Sequence, residues 1–290
     1  MNVYALIGNK NDRKIKRVGI SQDIQKELEE FLRSSISSLK DKKRQEFSGQ
    51  YKPEDDEVLK ISDFELSFNV DFDNPANIEQ LNEDDISNIQ CFIFNYKEYI
   101  AFQLFDKGKI IQNSDKFLRL IYSPDTFSKF NEKGITISNV IDILYINDEK
   151  LLLFKSFHKA SRIIDLSAYY REATDKEIKE FINAEVFTLA SDESKILNLF
   201  DNIRMRKKLF LIVKNKMLGI IKPNLQEIIS YANSLDIAIE TDRGKIVFPD
   251  DKNKINDLLD FLNEDLYKSF LTGNLYEVNS KRKKDRRSSS

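Results

Sequence analysis

The sequence predicts an α+β protein, with an N-terminal half rich in antiparallel β-hairpins plus a helix and a C-terminal half that is mostly helical with one hairpin. Two changes in residue pattern indicate this class. Residues 66–158 are rich in β-branched and aromatic residues interrupted by short polar turns, as in strands. After residue 166 the apolar residues recur at helical spacing. Hydrophobic residues make up 41% of the 290, which is enough for a folded core.

The N-terminal half combines one amphipathic helix with paired strands. Its predicted elements are, in order, a strand at 2–7, a helix at 21–39, a polar loop at 40–56, a hairpin at 91–105 and a hairpin at 141–157. Ser21 can cap the helix. The apolar face of the helix contains Ile24, Leu28, Phe31, Leu32, Ile36 and Leu39. Polar turns at 95–98 and 147–150 favour the two hairpins.

The C-terminal half has mainly helical periodicity. Its predicted elements are two short helices within 167–184, helices at 193–213, 223–235 and 253–266, a hairpin at 237–249 and a short strand before the end. Thr174 can cap the second short helix, and Asp242-Arg243-Gly244 is a strong hairpin turn. The predicted organisation is a β-rich subdomain at 1–160, a helix-rich domain at 161–280 and a basic tail at 281–290.

The composition excludes several classes of protein. No run approaches 18 apolar residues, so no membrane-spanning helix is expected. The N-terminus lacks the order of a secretory signal, so a cytoplasmic location is expected. Cys91 is the only cysteine and His158 the only histidine, which excludes an internal disulfide and His-His metal clusters. Neither GxGxxG nor GxxxxGK[ST] occurs, and we expect no cofactor.

Charge is segregated along the chain although the net charge is only −2. Residues 203–222 contain seven basic residues and no acid, and residues 281–290 contain six basic residues and one acid. Acidic residues concentrate at 53–65 and 249–265. Such clustering lets one face bind an anionic polymer while other faces repel it. The alternative is a set of solvated helix faces and a basic tail.

The basic blocks predict a DNA interface without catalytic residues. The candidate residues are Arg204, Arg206, Lys207, Lys208, Lys281, Arg282, Lys283 and Lys284, together with Lys155 and Arg162. Helical spacing predicts that Phe210 and Leu211 anchor the helix while part of its basic block faces solvent. The basic tail can contact the same row of DNA phosphates if the 253–266 helix folds back on the helix at 193–213. Lys155 and Arg162 either face a groove between the two halves or are charges that protect a sheet edge.

Two other interpretations remain open. The first is a nuclease, because Pro124-Asp125 and Asp148-Glu149-Lys150 fit the PD…(D/E)xK pattern, in which carboxylates bind Mg²⁺. Both segments are typical of turns, and a chain with this many charged residues is expected to match the pattern by chance. We therefore expect no metal and no catalysis. Glu177-Ile178-Lys179 is a weaker match on a helix. The second is an adaptor that binds a membrane protein or acidic lipid.

Two runs carry a family resemblance, namely KSFHKASRIIDL (155–166) and DLLDFLNEDLYKSFLTGNLYEVNSKRKK (257–284). The region of about residues 90–284 that contains them resembles the KwaB family of the Kiwa anti-phage defence system. The resemblance implies a cytoplasmic DNA-binding effector that acts with the membrane protein KwaA. It also implies recruitment to the inner membrane and interference with phage DNA replication or transcription. We further expect a homodimer or higher oligomer.

Overall fold

The computed structural model describes residues 1–8, 12–49, 51–66, 72, 74–105, 110–111, 120–123, 126–129, 134–278 and 280–281. The chain divides into two compact units. The first consists of Met1–Phe47 and Pro53–Asp165, and the second of Ser48–Lys52 and Leu166–Ser290. Antiparallel strands dominate the first unit and helices dominate the second. The predicted α+β class is therefore confirmed.

The first unit is built on a large sheet. Its elements are β1 (Asn2–Ile7), β2 (Lys14–Arg17), α1 (Gln22–Lys40), β3 (Lys43–Glu46), β4 (Glu57–Ile61), β5 (Ile89–Tyr96), β6 (Tyr99–Leu104), β7 (Ile110–Ile111), β8 (Leu120–Ser123), β9 (Thr126–Lys129), β10 (Gly134–Ile135), β11 (Ile143–Ile146), β12 (Leu151–Phe154) and α2 (Phe157–Ile163). Eight of the described strands form one sheet in the order β2-β1-β5-β6-β11-β12-β4-β3. Adjacent strands in this sheet are antiparallel, except that β3 and β4 are parallel.

The two predicted hairpins are confirmed in the centre of this sheet. They are β5–β6 and β11–β12, and their turns place Lys97 and Lys150 at φ of 54° and 45°. Every residue of β11 and β12 is buried, so both faces of the sheet are covered there.

Helix α1 covers one face of the sheet. Ser21 caps it as predicted, and its buried stripe consists of Leu28, Leu32, Ile36 and Leu39. Ile24 and Phe31, predicted on the same face, are exposed. Phe31 is adjacent to Leu32, and one residue along a helix rotates the side-chain direction by about 100°, so Phe31 points away from the buried stripe.

The segment predicted as a polar loop contains an edge strand. Residues 43–46 form β3, whose Gln45 donates a hydrogen bond to Glu57 over 2.9 Å. Lys60 and Glu46 pair across the same two strands at 2.6 Å. Polar side chains suit an exposed sheet edge, which explains why hydrophobic alternation did not predict this strand.

The second unit packs helices around a small sheet. Its elements are α3 (Asp175–Ile182), β13 (Phe187–Leu189), α4 (Glu193–Asn198), α5 (Ile203–Lys214), α6 (Leu218–Ile221), α7 (Leu225–Ser234), β14 (Thr241–Asp242), β15 (Lys245–Phe248), α8 (Lys252–Leu262), β16 (Leu266–Lys268) and β17 (Leu275–Glu277). Strand β15 pairs with β14 antiparallel and with β13 parallel, and β16 pairs with β17 antiparallel. Phe181, Leu209, Phe248 and Leu259 are among the residues of the core.

Two predicted helical segments differ from the structure. The single helix predicted at 193–213 is divided into α4 and α5, because the side chain of Asn202 starts a new helix by accepting the N–H of Arg204 at 2.8 Å. Residues 167–169 form a turn rather than a first short helix. The second short helix is α3, and its predicted cap, Thr174, is confirmed.

Candidate nucleic-acid interface

Helix α5 supplies four of the candidate residues and is fixed by its apolar side. Met205, Leu209 and Ile212 are fully buried in the core of the second unit. Their spacing leaves Lys207 on the opposite side of the helix. Phe210 and Leu211 are also buried, as predicted.

Arg206 connects α5 to the start of α3. Its Nε donates to the carbonyl of Phe200 at 2.8 Å, and its Nη1 donates to the carbonyl of Ala173 at 3.3 Å. The same Nη1 lies 2.7 Å from Asp175 Oδ1. These contacts engage Nε and Nη1 of the guanidinium within the protein, so Arg206 links α5 to the start of α3.

Lys208 is buried in a polar cluster. It is 6% exposed and hydrogen-bonds Asp260 on α8, while its Nζ lies 3.4 Å from Asp265 Oδ2. Asp265 is 1% exposed and accepts two hydrogen bonds from the Asn263 amide, at 3.0 and 3.1 Å. Buried charges need such partners, because desolvation of an unpaired ion costs several kcal/mol.

The beginning of the basic tail reaches the same cluster. Lys281 Nζ lies 3.0 Å from Asp265 Oδ1 and also hydrogen-bonds the carbonyl of Asn263. The N–H of Val278 donates to the Asp265 carbonyl at 2.7 Å, which fixes the chain just before Lys281. Asp265 therefore joins the two basic blocks of the sequence, through Lys208 and Lys281.

Two further cations lie at the rim of this cluster. Arg204 is exposed and forms an ion pair with Glu277 on β17. The Nζ of Lys207 lies 5.4 Å from the ring centroid of Tyr170, within the range of a cation–π contact. Burial, together with the charge of Asp265, raises the pKa of Tyr170.

Some of these groups line a cavity of about 470 Å³ in the second unit. Its lining residues are Gly49, Tyr170, Asn202, Ile203, Arg204, Lys207, Lys208 and Asp265. Gly49 has φ of 85°, and a Cβ there would lie 2.7 Å from Tyr170 Cδ2. A residue without a side chain is therefore required where the 48–52 segment approaches the tyrosine.

The remaining candidates lie elsewhere. Lys155 and Arg162 belong to the first unit and are exposed. Lys155 Nζ lies 3.4 Å from the carbonyl of Asp55, which also accepts a hydrogen bond from Lys42. The neighbouring Lys42 ammonium, and then burial, lower the pKa of Lys155. Arg282, Lys283 and Lys284 lie outside the described residues.

The residues of the nuclease pattern occupy a turn and a helix cap. Asp148 and Lys150 lie in the exposed turn between β11 and β12, and Asp125 lies outside the described residues. Glu177 of the weaker match closes the capping box of α3 and pairs with both Nη atoms of Arg171 at 2.7 Å. In the described part of the chain, no group of three His, Cys, Asp or Glu residues is arranged to hold a metal.

The sequence pattern did not reveal the acidic partners of these cations, which are Asp260, Asp265 and Glu277. Asp260 and Asp265 fall in the acidic block 249–265, which was expected to repel an anionic polymer. In the structure they pair with the basic block instead, together with Glu277. The partners are 52 to 73 residues apart in the sequence, so no local spacing could have predicted them.

Comparison with known proteins gives one match. A family model described as "Kiwa protein KwaB-like" matches residues 85–272, which is more than half of the chain. Searches of curated proteins and of solved structures each give no significant match. Within the described residues, no helix combines the length and apolar character needed to cross a membrane. The matched region includes α5, α8 and Asp265, and the chain therefore belongs to the KwaB-like family of Kiwa proteins, components of an anti-phage defence system.

Proposed function

We propose that this chain is the DNA-binding effector of a Kiwa system and that it holds the duplex by its phosphate backbone without reading the sequence. In this proposal it acts in the cytoplasm with a KwaA-type membrane partner that recruits it to the inner membrane, where it blocks phage DNA replication or transcription. The supporting facts are its family and its segregated basic residues. Backbone contacts are the sequence-independent part of DNA binding.

One observation carries the proposal, namely the junction at Asp265. Lys208 of α5 and Lys281 of the tail both contact this carboxylate. The tail therefore starts at a carboxylate that lines the same cavity as Arg204 and Lys207, although more than 70 residues separate Lys281 from either of them in sequence. For this reason the proposal treats Arg204, Lys207 and the basic residues after Lys281 as one phosphate-binding surface.

The cations of this surface differ in how readily they can exchange partners. Arg204 pairs with Glu277 at the exposed rim, where an ion pair contributes roughly 0–1 kcal/mol. A phosphate can replace Glu277 at little cost. Lys208 is buried among carboxylates and has no such freedom. Lys281 is likewise held by Asp265 and by the carbonyl of Asn263. We therefore assign phosphate contacts to Arg204, Lys207, Arg282, Lys283 and Lys284, and structural roles to Arg206, Lys208 and Lys281.

We also propose that the protein acts by binding and not by catalysis. The support is that Asp148 and Lys150 occupy a solvent-exposed turn, where no other described acid completes a metal site. Lys150 Nζ lies 3.6 Å from Glu65 Oε1, and both side chains are exposed. A homodimer or higher oligomer belongs to the same proposal, and light scattering coupled to size-exclusion chromatography measures it.

The test is a salt series of DNA affinities on the full chain. Anisotropy titrations with a labelled duplex and with its scrambled control should give equal affinities that fall linearly in log–log form with salt. Replacing Arg204 and Lys207 by alanine should lower the slope by about two units, and replacing Arg282, Lys283 and Lys284 by alanine should lower it by about three.

The matched control removes two exposed cations elsewhere in the second unit. Lys195 and Lys254 pair with Asp250 and Glu240 at the surface, so Lys195→Ala with Lys254→Ala removes the same charge as the Arg204 and Lys207 variant. The control should leave the slope within one unit of wild type. Equal slopes for all variants would refute the assigned surface, and DNA cleavage with Mg²⁺ would favour the nuclease.

A further inference from the structure

The hairpin β16–β17 presents two large apolar side chains to solvent. Phe270 is 99% exposed and Leu271 is 92% exposed, at the tip of the turn that connects the two strands. The turn is ordered by hydrogen bonds from Ser269 N–H to the Asn274 carbonyl (2.9 Å) and from Gly273 N–H to the Ser269 carbonyl (2.8 Å). Isolated apolar residues are common on surfaces, but a projecting apolar pair indicates a binding site.

An aromatic pair lies directly behind this tip. Tyr267 and Tyr276 are opposite each other in the strand register, and their ring centroids are 6.3 Å apart. Both side chains are about half exposed. Phe270 is three positions after Tyr267, so the Cα atoms of these two residues are at most about 10 Å apart.

This layering matches the layers of a bilayer surface. Phenylalanine and leucine are buried about 5–10 Å into the boundary between headgroups and acyl chains by interfacial elements. Tyrosine is enriched at the headgroup level, where its ring contacts apolar chains and its hydroxyl contacts water. The hairpin therefore has an apolar tip and an amphipathic base in the order that a membrane interface requires.

Charge complementarity identifies the kind of membrane. Lys281 follows β17 after only three residues, and five of the six residues after Lys281 are basic. A juxtamembrane segment of this type is attracted to anionic lipid. Neither signal alone gives stable attachment, whereas an apolar insertion beside a polybasic segment does.

The geometry points to the β16–β17 hairpin as a docking element for an anionic lipid bilayer. Phe270 and Leu271 insert below the headgroups and Tyr267 and Tyr276 lie among them, while the positive charge that follows Lys281 in the sequence favours anionic lipid. This surface is additional to the proposed DNA interface, which uses α5. The tail is shared by both, whereas the tip belongs to the membrane surface alone.

The test uses the absence of tryptophan from the chain. Phe270→Trp gives a single fluorescent reporter at the tip, and Val213→Trp gives one at an exposed position of α5. With phosphatidylcholine vesicles that contain phosphatidylglycerol, the Phe270→Trp emission should shift to the blue and be quenched by brominated acyl chains. The Val213→Trp emission should change in neither respect. A tip reporter that stays solvent-exposed with vesicles would overturn the proposal.

Affinity gives a second readout on otherwise native protein. In vesicle flotation, Phe270→Ser with Leu271→Ser should weaken binding at least about tenfold, because each large apolar side chain contributes that much when buried. The matched control, Val213→Ser with Ile220→Ser, removes two other exposed apolar residues and should bind like wild type.

DNA binding and mass separate this result from the other proposals. The Phe270→Ser with Leu271→Ser variant should bind DNA with the affinity and salt slope of wild type. The lipid test does not depend on DNA binding, so it stays valid if the DNA proposal fails. Its molar mass should equal that of wild type. A change of oligomeric state would show that the tip docks on a second copy of the chain and would overturn the lipid assignment.

Discussion

Lys207 and Lys208 are neighbours in the sequence with opposite surroundings in the structure. Lys207 lies over the ring of Tyr170 at the rim of the cavity, whereas Lys208 is buried between Asp260 and Asp265. One residue along a helix rotates a side chain by about 100°, and here that rotation moves a lysine from the rim to the interior. A basic run in a sequence therefore does not specify which of its members meets a ligand.

Replacement of each lysine should separate the two roles. We expect Lys208→Ala to lower the free energy of unfolding by about 3 kcal/mol, because it leaves Asp260 and Asp265 without their buried partner. We expect Lys207→Ala to change stability by less than about 0.5 kcal/mol, as at most surface positions. Urea denaturation measures both. Equal small losses for the two variants would contradict the buried role of Lys208.

At the scale of elements, helix starts are fixed by individual polar side chains. Thr174 and Glu177 form a capping box at α3, and Glu177 also accepts hydrogen bonds from both Nη atoms of Arg171. The Arg171 guanidinium is the main cause that lowers the pKa of Glu177 to about 2. These contacts hold the carboxylate in its charged form and join α3 to the segment before it.

Acid should therefore weaken the start of α3. The pKa of Glu177 is lower in the folded protein than the ordinary value of 4.5. The charged Glu177 therefore stabilises the fold fully above pH 4.5, and this contribution is lost as the pH falls toward 2. After allowance for solvent screening we expect roughly 1–2 kcal/mol to be lost over this range.

The variant Glu177→Gln supplies the comparison for this pH dependence. It keeps a capping side chain but cannot carry the charge, so its unfolding free energy should fall less between pH 5 and pH 2 than that of wild type. Urea denaturation at each pH provides the measurement. Parallel pH profiles for the two proteins would show that the Arg171 pair contributes nothing to stability.

At the scale of the whole molecule, the family places this chain in phage defence, and the candidate sites divide between its two units. The proposed DNA surface and the hairpin tip belong to the second unit, whereas Asp148 and Lys150 belong to the first. This division gives a direct comparison between binding and catalysis in living cells.

We expect protection to depend on the basic surface and not on the nuclease pattern. In cells with the complete defence system, Asp125→Ala and Asp148→Ala should leave the efficiency of plating as low as with wild type. Alanine at Arg204, Lys207 and Arg282–Lys284 should raise it by about tenfold or more, as expected when several phosphate contacts are lost. Immunoblots control for protein level. Loss of protection in both aspartate variants would favour the nuclease.

Periodicity in the sequence was sufficient for the α+β class, helix α1, the two central hairpins and the cap of α3. Each of these depends on residues close together in the chain, and local propensity and turn chemistry act at that range. The family resemblance also came from the sequence and is confirmed. The edge strand β3, the division of α4 from α5 and the parallel pairing of β13 with β15 were not predicted.

Only the tertiary structure decided how the charged residues combine. Asp265 lies in an acidic block and Lys208 in a basic one, and the fold brings them together with Lys281 in a buried cluster. The physical reason is that a buried charge must find a partner of opposite sign, wherever in the sequence that partner is. Packing also decided which apolar side chains are exposed, because it leaves Phe270 in solvent together with Phe31, which helical spacing had assigned to the apolar face of α1.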